Sequence, residues 1–253
     1  MSASFAHICE KWTMALSPPG AGEPWFLDWV LRSPKEAGQH LVAGMLAIRD
    51  LRKIYEPKDI CDAVEYFGGM GAQAFMIEEA FGPLGTDAHR VLEYSPDAVD
   101  HLIYALRNKD DALFAMVRHA DSYDPSSFWP ADFVSLDFGD LTARWIVEGE
   151  QKRKLLNRVF AHRPKAVLLT DVGGHYLHLH KKTYEPILGE GSCESYPTYL
   201  DAFADKIEEI WGYTLVSGYY RRWSTVMALV PNGVAERGTF TRTPDEPVGI
   251  ELF

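Results

Sequence analysis

The most chemically suggestive stretch of the chain is Glu-Tyr-Phe-Gly-Gly-Met-Gly, residues 65–71, which ends an apolar run. Gly69 and Gly71 leave the backbone bare at the end of a predicted strand, so a ligand can approach the main chain closely there. A helix that begins directly afterwards offers unpaired N–H groups at its first turn. The stretch therefore predicts a ligand-binding loop between a strand and a helix.

An acidic residue ends the next predicted strand. Glu93 follows Gly71 by 22 residues. In a doubly wound sheet, ligands bind outside the carboxyl ends of the strands, and an acid in this place can accept hydrogen bonds from both ribose hydroxyls of an adenosine-type cofactor. Two cofactor classes share this layout, because residues 69–74 also satisfy the dinucleotide pattern G-x-G-x-x-A. Glu65, however, would repel a pyrophosphate.

The pattern Glu-x-Phe-x-Gly-x-Gly over residues 65–71 resembles the first motif of class I S-adenosylmethionine-dependent methyltransferases, in the form common among nucleic-acid methylases. The resemblance covers about residues 55–231. It implies S-adenosylmethionine as the cofactor, with its ammonium group near the first carboxylate, its ribose on the second motif's acid and its adenine beside the residues that follow the second and third strands. The implied cofactor-binding residues are Glu65, Phe67, Gly69, Gly71, Glu93, Tyr94, Asp121 and Ser122.

Candidate catalytic groups follow the fourth and fifth predicted strands. Asp137 and Asp140 could act as a base or bind a cationic acceptor, although Asp140 could instead cap the next helix. The family places its fourth motif here, but Asp-Phe-Gly-Asp lacks the prolines of DNA amino-methylases and the cysteine of cytosine-C5 methylases. His175 is a candidate general base. Together with His178 and His180 it also permits a metal-site interpretation on a strand face, which we do not favour because no further acid or cysteine lies close in sequence.

Charge and composition restrict the partners. The net charge of −11 disfavours a nucleic-acid substrate, because nucleic-acid binders present a basic face. Residues 151–165 are an exception, and they could dock phosphate or form a solvated helix face. The sequence has no apolar run of membrane-spanning length, no signal-peptide pattern and three widely separated cysteines. We therefore expect a cytoplasmic protein without a membrane segment or a bound metal.

Alternating strand and helix patterns position these groups. They predict a Rossmann-like, doubly wound α/β fold with a seven-stranded, mostly parallel sheet that closes with an antiparallel hairpin. The predicted organisation is an N-terminal helical and aromatic extension (1–54), a methyltransferase-like domain (55–231) and a loose C-terminal tail (232–253). The predicted strands are 59–67, 89–95, 113–120, 131–138, 165–172 and two within 213–231; the predicted helices are 34–54, 72–81, 96–107, 141–161 and 196–212.

Three functions fit this organisation. A methyltransferase that acts on a nucleic acid or a small molecule is the first. A catalytically degenerate methyltransferase fold that serves as a binding or scaffold module is the second. A nicotinamide-dependent oxidoreductase that uses the G-x-G-x-x-A match is the third and the least favoured.

Overall fold

The structure is a computed structural model that describes residues 34–67, 72–82, 84, 88–96, 99–100, 115–137, 146, 150–172, 174, 177–221 and 224–243. Several of the residues discussed above lie outside the described residues: Gly69, Gly71, Asp140, His175 and the N-terminal segment 1–33.

Eight strands form a single sheet. They are β1 (Ala63–Tyr66), β2 (His89–Glu93), β3 (Ala115–His119), β4 (Phe133–Leu136), β5 (Ala166–Val172), β6 (Tyr213–Arg221), β7 (Ser224–Pro231) and β8 (Phe240–Arg242). Their order in the sheet is β3-β2-β1-β4-β5-β7-β6-β8. Strands β1 to β5 pair in parallel, β7 is antiparallel to both of its neighbours, and β8 is parallel to β6. The doubly wound, mostly parallel sheet with an antiparallel hairpin is therefore confirmed, with one strand more than predicted.

Helices cover both faces of the sheet. They are α1 (Pro34–Arg52), α2 (Ala72–Phe81), α3 (Glu150–Ala161), α4 (Leu177–Leu188) and α5 (Tyr196–Trp211). Helices α1 and α2 pack on one face against Ala63, Phe133 and Leu168. Helices α3, α4 and α5 pack on the other face against Val64, Tyr66 and other alternate residues of the same strands. Because both faces are buried, the central strands read as continuous apolar runs rather than as alternating ones.

Local sequence signals explain the ends of α5. Ser195 is the N-cap, and its hydroxyl accepts a hydrogen bond from the backbone N–H of Thr198. Pro197 lies in the first turn, where its missing N–H has no helical partner to lose. Gly212 ends the helix with a φ of 70°, a left-handed conformation that favours glycine. The helix predicted over 196–212 is confirmed, and the helix predicted over 72–81 matches α2 residue for residue.

The segment after β5 differs from the prediction. Residues 177–188 form helix α4, so the interpretation of His178 and His180 as residues on a strand face is wrong. Leu177 and Tyr184 are buried seven residues apart, on one side of the helix, whereas Leu179 is 66% exposed. The local alternation of leucine and histidine suggested a strand, but burial of a helical face against α5 decides the conformation.

The C-terminal segment is also more ordered than predicted. Phe240–Arg242 form strand β8, which pairs with residues 218–220 of β6, so the prediction of a loose tail is wrong for this part of the chain. Gly218 explains the pairing, because the ring of Phe240 occupies the space where a side chain at position 218 would begin. None of the described helices is both long enough and apolar enough to cross a membrane.

This fit of Phe240 over Gly218 predicts a steric coupling. Gly218→Ala should destabilise the protein by about 1–3 kcal/mol, because the added methyl group overlaps an aromatic ring. In a Phe240→Ala background the same change should cost at least about 1 kcal/mol less. Urea unfolding of the four proteins in the double-mutant cycle measures the coupling.

A matched control separates this overlap from the general effect of an added methyl group. In Gly44→Ala the new carbon would meet only the flexible end of Met76. This variant should be neutral or gain up to about 1 kcal/mol from helix propensity. Equal costs of Gly218→Ala in both backgrounds would contradict the proposed contact.

Candidate functional site

The candidate site lies at the carboxyl edge of the parallel strands. Because β1 to β5 run in parallel and in register, the residues that follow them come to one edge of the sheet. The β6–β7 hairpin turns at the same edge, since Val172 of β5 pairs with Ser224 of β7. The predicted site residues that the structure describes at this edge are Phe67, Glu93, Tyr94, Asp121, Ser122 and Asp137, and Glu65 lies just inside it.

Phe67 marks the point where the chain leaves β1. Its φ is 63°, a left-handed conformation that is uncommon for a residue with a side chain. Its ring packs against Tyr123, with 5.3 Å between the ring centroids. The last residue of β1, Tyr66, still accepts a hydrogen bond from the backbone N–H of Asp137 at 3.3 Å. The backbone therefore turns sharply as it enters the glycine stretch, and packing against Tyr123 holds that turn.

Glu65 is completely buried, with 0% of its surface exposed. Its Oε2 accepts a hydrogen bond of 3.0 Å from the backbone N–H of Ala74, in the first turn of α2. Its Oε1 is buried without a hydrogen-bond partner among the described residues. Burial, followed by the negative charges of Asp137 and Glu93, raises the pKa of Glu65 well above its ordinary value, although the bond from Ala74 opposes this shift.

The acid at the end of β2 has a different environment. Glu93 is half-buried, and its Oε1 accepts a hydrogen bond of 2.8 Å from the backbone N–H of Ser95. Tyr94 is 70% exposed, and the His119 ring lies beside it with Nε2 2.7 Å from the Tyr94 carbonyl oxygen. An anchored carboxylate next to an exposed aromatic ring is an arrangement that can bind a sugar and stack on a base.

Asp121 and Ser122 follow β3, as the resemblance requires. Asp121 is exposed and accepts a hydrogen bond of 2.9 Å from the backbone N–H of Tyr123. Ser122 is buried, with 3% of its surface exposed. Glu93 pairs with His119 in the sheet, and Asp121 and Ser122 follow His119 by two and three residues. The structure thus brings the described second- and third-motif residues to adjacent strand ends.

A polar cluster at the end of β5 was missed by the sequence analysis. Asp171 is fully buried, and its carboxylate accepts hydrogen bonds from the hydroxyls of Tyr196 at 2.8 Å and Tyr199 at 3.0 Å. Thr225, its pairing partner on β7, donates a hydrogen bond of 3.0 Å to the Tyr196 hydroxyl. The ring of Tyr196 also fills the space beside Gly174, where a side chain would overlap it. The sequence signal that could have indicated this cluster is the Tyr-x-x-Tyr spacing of residues 196–199 at the start of a predicted helix.

The cations of the basic stretch 151–165 make contacts within the protein. Arg158 donates a hydrogen bond of 2.9 Å from Nη2 to the carbonyl of Tyr123. Lys165 lies 3.1 Å from a carboxylate oxygen of Asp132. Arg158 therefore connects the segment between β3 and β4 to α3, and Lys165 connects it to the turn between α3 and β5. The described residues contain no group of three or more side chains that could hold a metal ion.

Neither a family model nor a curated protein sequence matches the chain. Solved structures do match. PH1948 from Pyrococcus horikoshii, whose assignment as an RNA methyltransferase is provisional, is 13% identical with a TM-score of 0.53 over 89% of this chain and 96% of that chain. The plantazolicin methyltransferase BpumL, in complex with SAH, is 12% identical with a TM-score of 0.50 over 90% and 97% of the two chains.

A third match is more remote. The sugar N-methyltransferase KedS8 from a Streptoalloteichus species is 16% identical with a TM-score of 0.41. The alignment covers 60% of this chain and 55% of that one, so the chain spans about half the length of that enzyme.

The class of fold is defined by the strand order, by the closing hairpin and by the matches to PH1948 and BpumL. The chain has a Rossmann-like fold of the kind found in class I S-adenosylmethionine-dependent methyltransferases. At these levels of sequence identity the likeness establishes the fold, and the function has to be argued from the site.

The buried Asp171 cluster predicts a large effect for a small change. Tyr199→Phe removes a hydroxyl that donates to a buried carboxylate, so it should destabilise the protein by about 1.5–3 kcal/mol. Tyr94→Phe removes a hydroxyl from an exposed ring and should change stability by less than about 0.5 kcal/mol. Urea unfolding measures both variants, and a similar small loss in both would show that the Asp171 contact is unimportant.

The environment of Glu65 predicts a pH dependence of stability. Its pKa is raised in the folded protein, so the folded state binds more protons than the unfolded state between the unfolded pKa and the folded one. The free energy of unfolding that Glu65 contributes is therefore present at low pH and is lost as the pH rises through this window. Glu65→Gln should lack this dependence.

The measurement is urea unfolding of the parent protein and Glu65→Gln from pH 5 to pH 8. The stability of the variant relative to the parent should increase with pH. Glu209→Gln, at an exposed position on α5, serves as the control and should follow the parent. A Glu65→Gln difference that does not change with pH would refute this account of the buried carboxyl.

Proposed function

We propose that the protein is a methyltransferase that uses S-adenosylmethionine, and that residues 55–231 form its methyltransferase domain. The observation that carries the proposal is the pair of acids at the ends of β1 and β2. Glu65 has a buried oxygen without a hydrogen-bond partner among the described residues, and Glu93 lies half-buried beside an exposed tyrosine ring. Together they suit a ligand that carries a cation, a sugar and a base.

The residues fit S-adenosylmethionine part by part. Glu65 would hold the ammonium group, Glu93 would accept hydrogen bonds from the ribose, and Tyr94 would stack on the adenine. Asp121 and Ser122 would contact the adenine edge, and the backbone at Phe67, Gly69 and Gly71 would lie against the amino-acid part. The bound cofactor supplies a methyl group that is activated by its attachment to a sulfonium.

The protein must then orient the acceptor and remove its proton where one is lost. Asp137 follows β4 at the same edge and is half-buried, so it is our candidate for binding or deprotonating the acceptor. Asp140 and His175 are further candidates from the sequence. The acceptor is a small molecule or a nucleic acid, the latter through residues 151–165.

The first test is cofactor binding, measured by isothermal titration calorimetry with S-adenosylhomocysteine. Glu93→Ala should weaken binding by at least about tenfold, because it removes hydrogen bonds to the ribose worth roughly 0.5–1.5 kcal/mol each. Glu209→Ala, which removes an exposed carboxylate from α5, should bind as the parent does.

The outcomes separate the alternatives. Binding by the parent protein, weakened only in Glu93→Ala, supports the proposal. No heat with S-adenosylhomocysteine would refute it and favour a scaffold role for the fold. Binding of NADH instead would favour the oxidoreductase, for which the acid at Glu93 suits a free ribose rather than a 2′-phosphate.

A further inference from the structure

The carboxyl group of Glu65 is unusual because half of its hydrogen-bonding capacity is buried and unused. Its Oε2 accepts the Ala74 N–H, while Oε1 has no partner among the described residues and the side chain has no contact with solvent. A buried charge is stable only when a counter-charge and hydrogen bonds replace the water that it loses. The described part of the chain provides one hydrogen bond and no counter-charge.

The charged groups on the neighbouring strands make an ionised Glu65 less favourable still. Strand β2 contributes Glu93, and the residue after β4 is Asp137; both are acids whose charges act on Glu65. Ser135 of β4, the sheet partner of Glu65, donates a hydrogen bond from its hydroxyl to Oε1 of Gln73. The neighbouring strands therefore add negative charge and no cation among the residues described.

Among the described residues, helices α1 and α2 on this face place no cation beside Glu65. Gln73 of α2 is neutral, its Nε2 is buried without a hydrogen-bond partner in the described part of the chain, and no described hydrogen bond joins it to Glu65. The Glu78 carboxylate lies 3.1 Å from the ring of His89, at the other end of β2. The charged residues in the last turns of α1 have other partners: Arg49 contacts Asp50 and Tyr219, Asp50 binds Lys53 and Tyr219, and Arg52 lies over the ring of Phe81.

These contacts lead to a coupling between protonation and ligand binding. We propose that Glu65 is protonated in the free protein and that the ammonium group of the bound cofactor displaces this proton. The inference rests on the proposed function and adds to it a pH control of cofactor affinity.

The exchange balances in charge. The free protein holds a neutral carboxyl, and the ligand brings its ammonium group to that carboxyl. The carboxyl proton passes to the buffer as the carboxylate forms an ion pair with the ammonium group, while the ligand's own carboxylate and, in S-adenosylmethionine, its sulfonium keep their charges. Because a proton is released on binding, affinity rises with pH until Glu65 is ionised in the free protein as well. In the limit of full coupling the dissociation constant falls about tenfold for each pH unit.

Calorimetry of the full chain in buffers of different ionisation enthalpy counts the released protons. S-adenosylhomocysteine, which carries the ammonium group, should release up to about one proton per bound molecule near neutral pH. 5′-Methylthioadenosine, which has the sugar and the base but no ammonium group, should release none. Equal proton release by the two ligands would overturn the assignment to the ammonium group.

Two variants assign the proton to its residue. Glu65→Gln should bind S-adenosylhomocysteine with no proton release and with an affinity that does not change with pH. Glu78→Gln, which alters another buried acid of this face, should release the proton as the parent does. If Glu65→Gln does not fold, the comparison of the two ligands on the parent protein still decides.

The results distinguish the inference from the function on which it rests. Binding of S-adenosylhomocysteine without proton release would overturn the coupling and leave the methyltransferase proposal standing. Proton release that persists in Glu65→Gln would also overturn it. Absence of binding by the parent protein would refute both proposals.

Discussion

The hydrogen bond from the Ala74 N–H to the Glu65 carboxyl joins the end of β1 to the start of α2, and the candidate site depends on it. The backbone between these two residues includes three glycines, which lose much conformational entropy when they are fixed. A buried hydrogen bond across the base of the loop fixes both of its ends. The acceptor of this bond is a carboxyl group in the sheet interior, and this buried acid is the unusual chemical feature of the site.

The sequence predicts those parts of the fold that depend on local patterns. Apolar runs that end in glycine or acid locate β1 to β5. The parallel arrangement of β1, β2 and β3 follows from the helices predicted between them, so the meeting of Glu93 and Asp121 at one edge was predictable. Strand β8 could not be predicted, because its three residues depend on pairing with β6 and on the space that Gly218, distant in the sequence, leaves for the Phe240 ring. The Asp171 cluster depends in the same way on Tyr196, Tyr199 and Thr225, whose proximity only the folded sheet creates.

The basic stretch illustrates how one pattern can have two physical meanings. Its charges suggested a phosphate-binding surface, yet Arg158 and Lys165 bind a carbonyl and a carboxylate of the segment between β3 and β4. These contacts hold that segment, and with it Tyr123, against which Phe67 packs. Part of the positive charge therefore stabilises the segment that follows β3, and under the proposed function a nucleic-acid acceptor would have to be recognised by the charges that remain exposed.

The buried carboxylates at the ends of β5 and β1 have different hydrogen-bonding environments. At β5, Asp171 receives two phenol hydroxyls, and the pKa of Tyr196 is raised well above its ordinary value by burial and then by the Asp171 charge, which keeps that phenol a donor. At β1, Glu65 receives one N–H from the described residues and faces two further acids. A satisfied carboxylate stabilises a rigid wall, whereas an unsatisfied one leaves a cation to be supplied from outside. This contrast supports the proposed ligand site at β1 and β2, whereas the contacts of Asp171 with α5 and the pairing of β5 with β7 stabilise the neighbouring part of the edge.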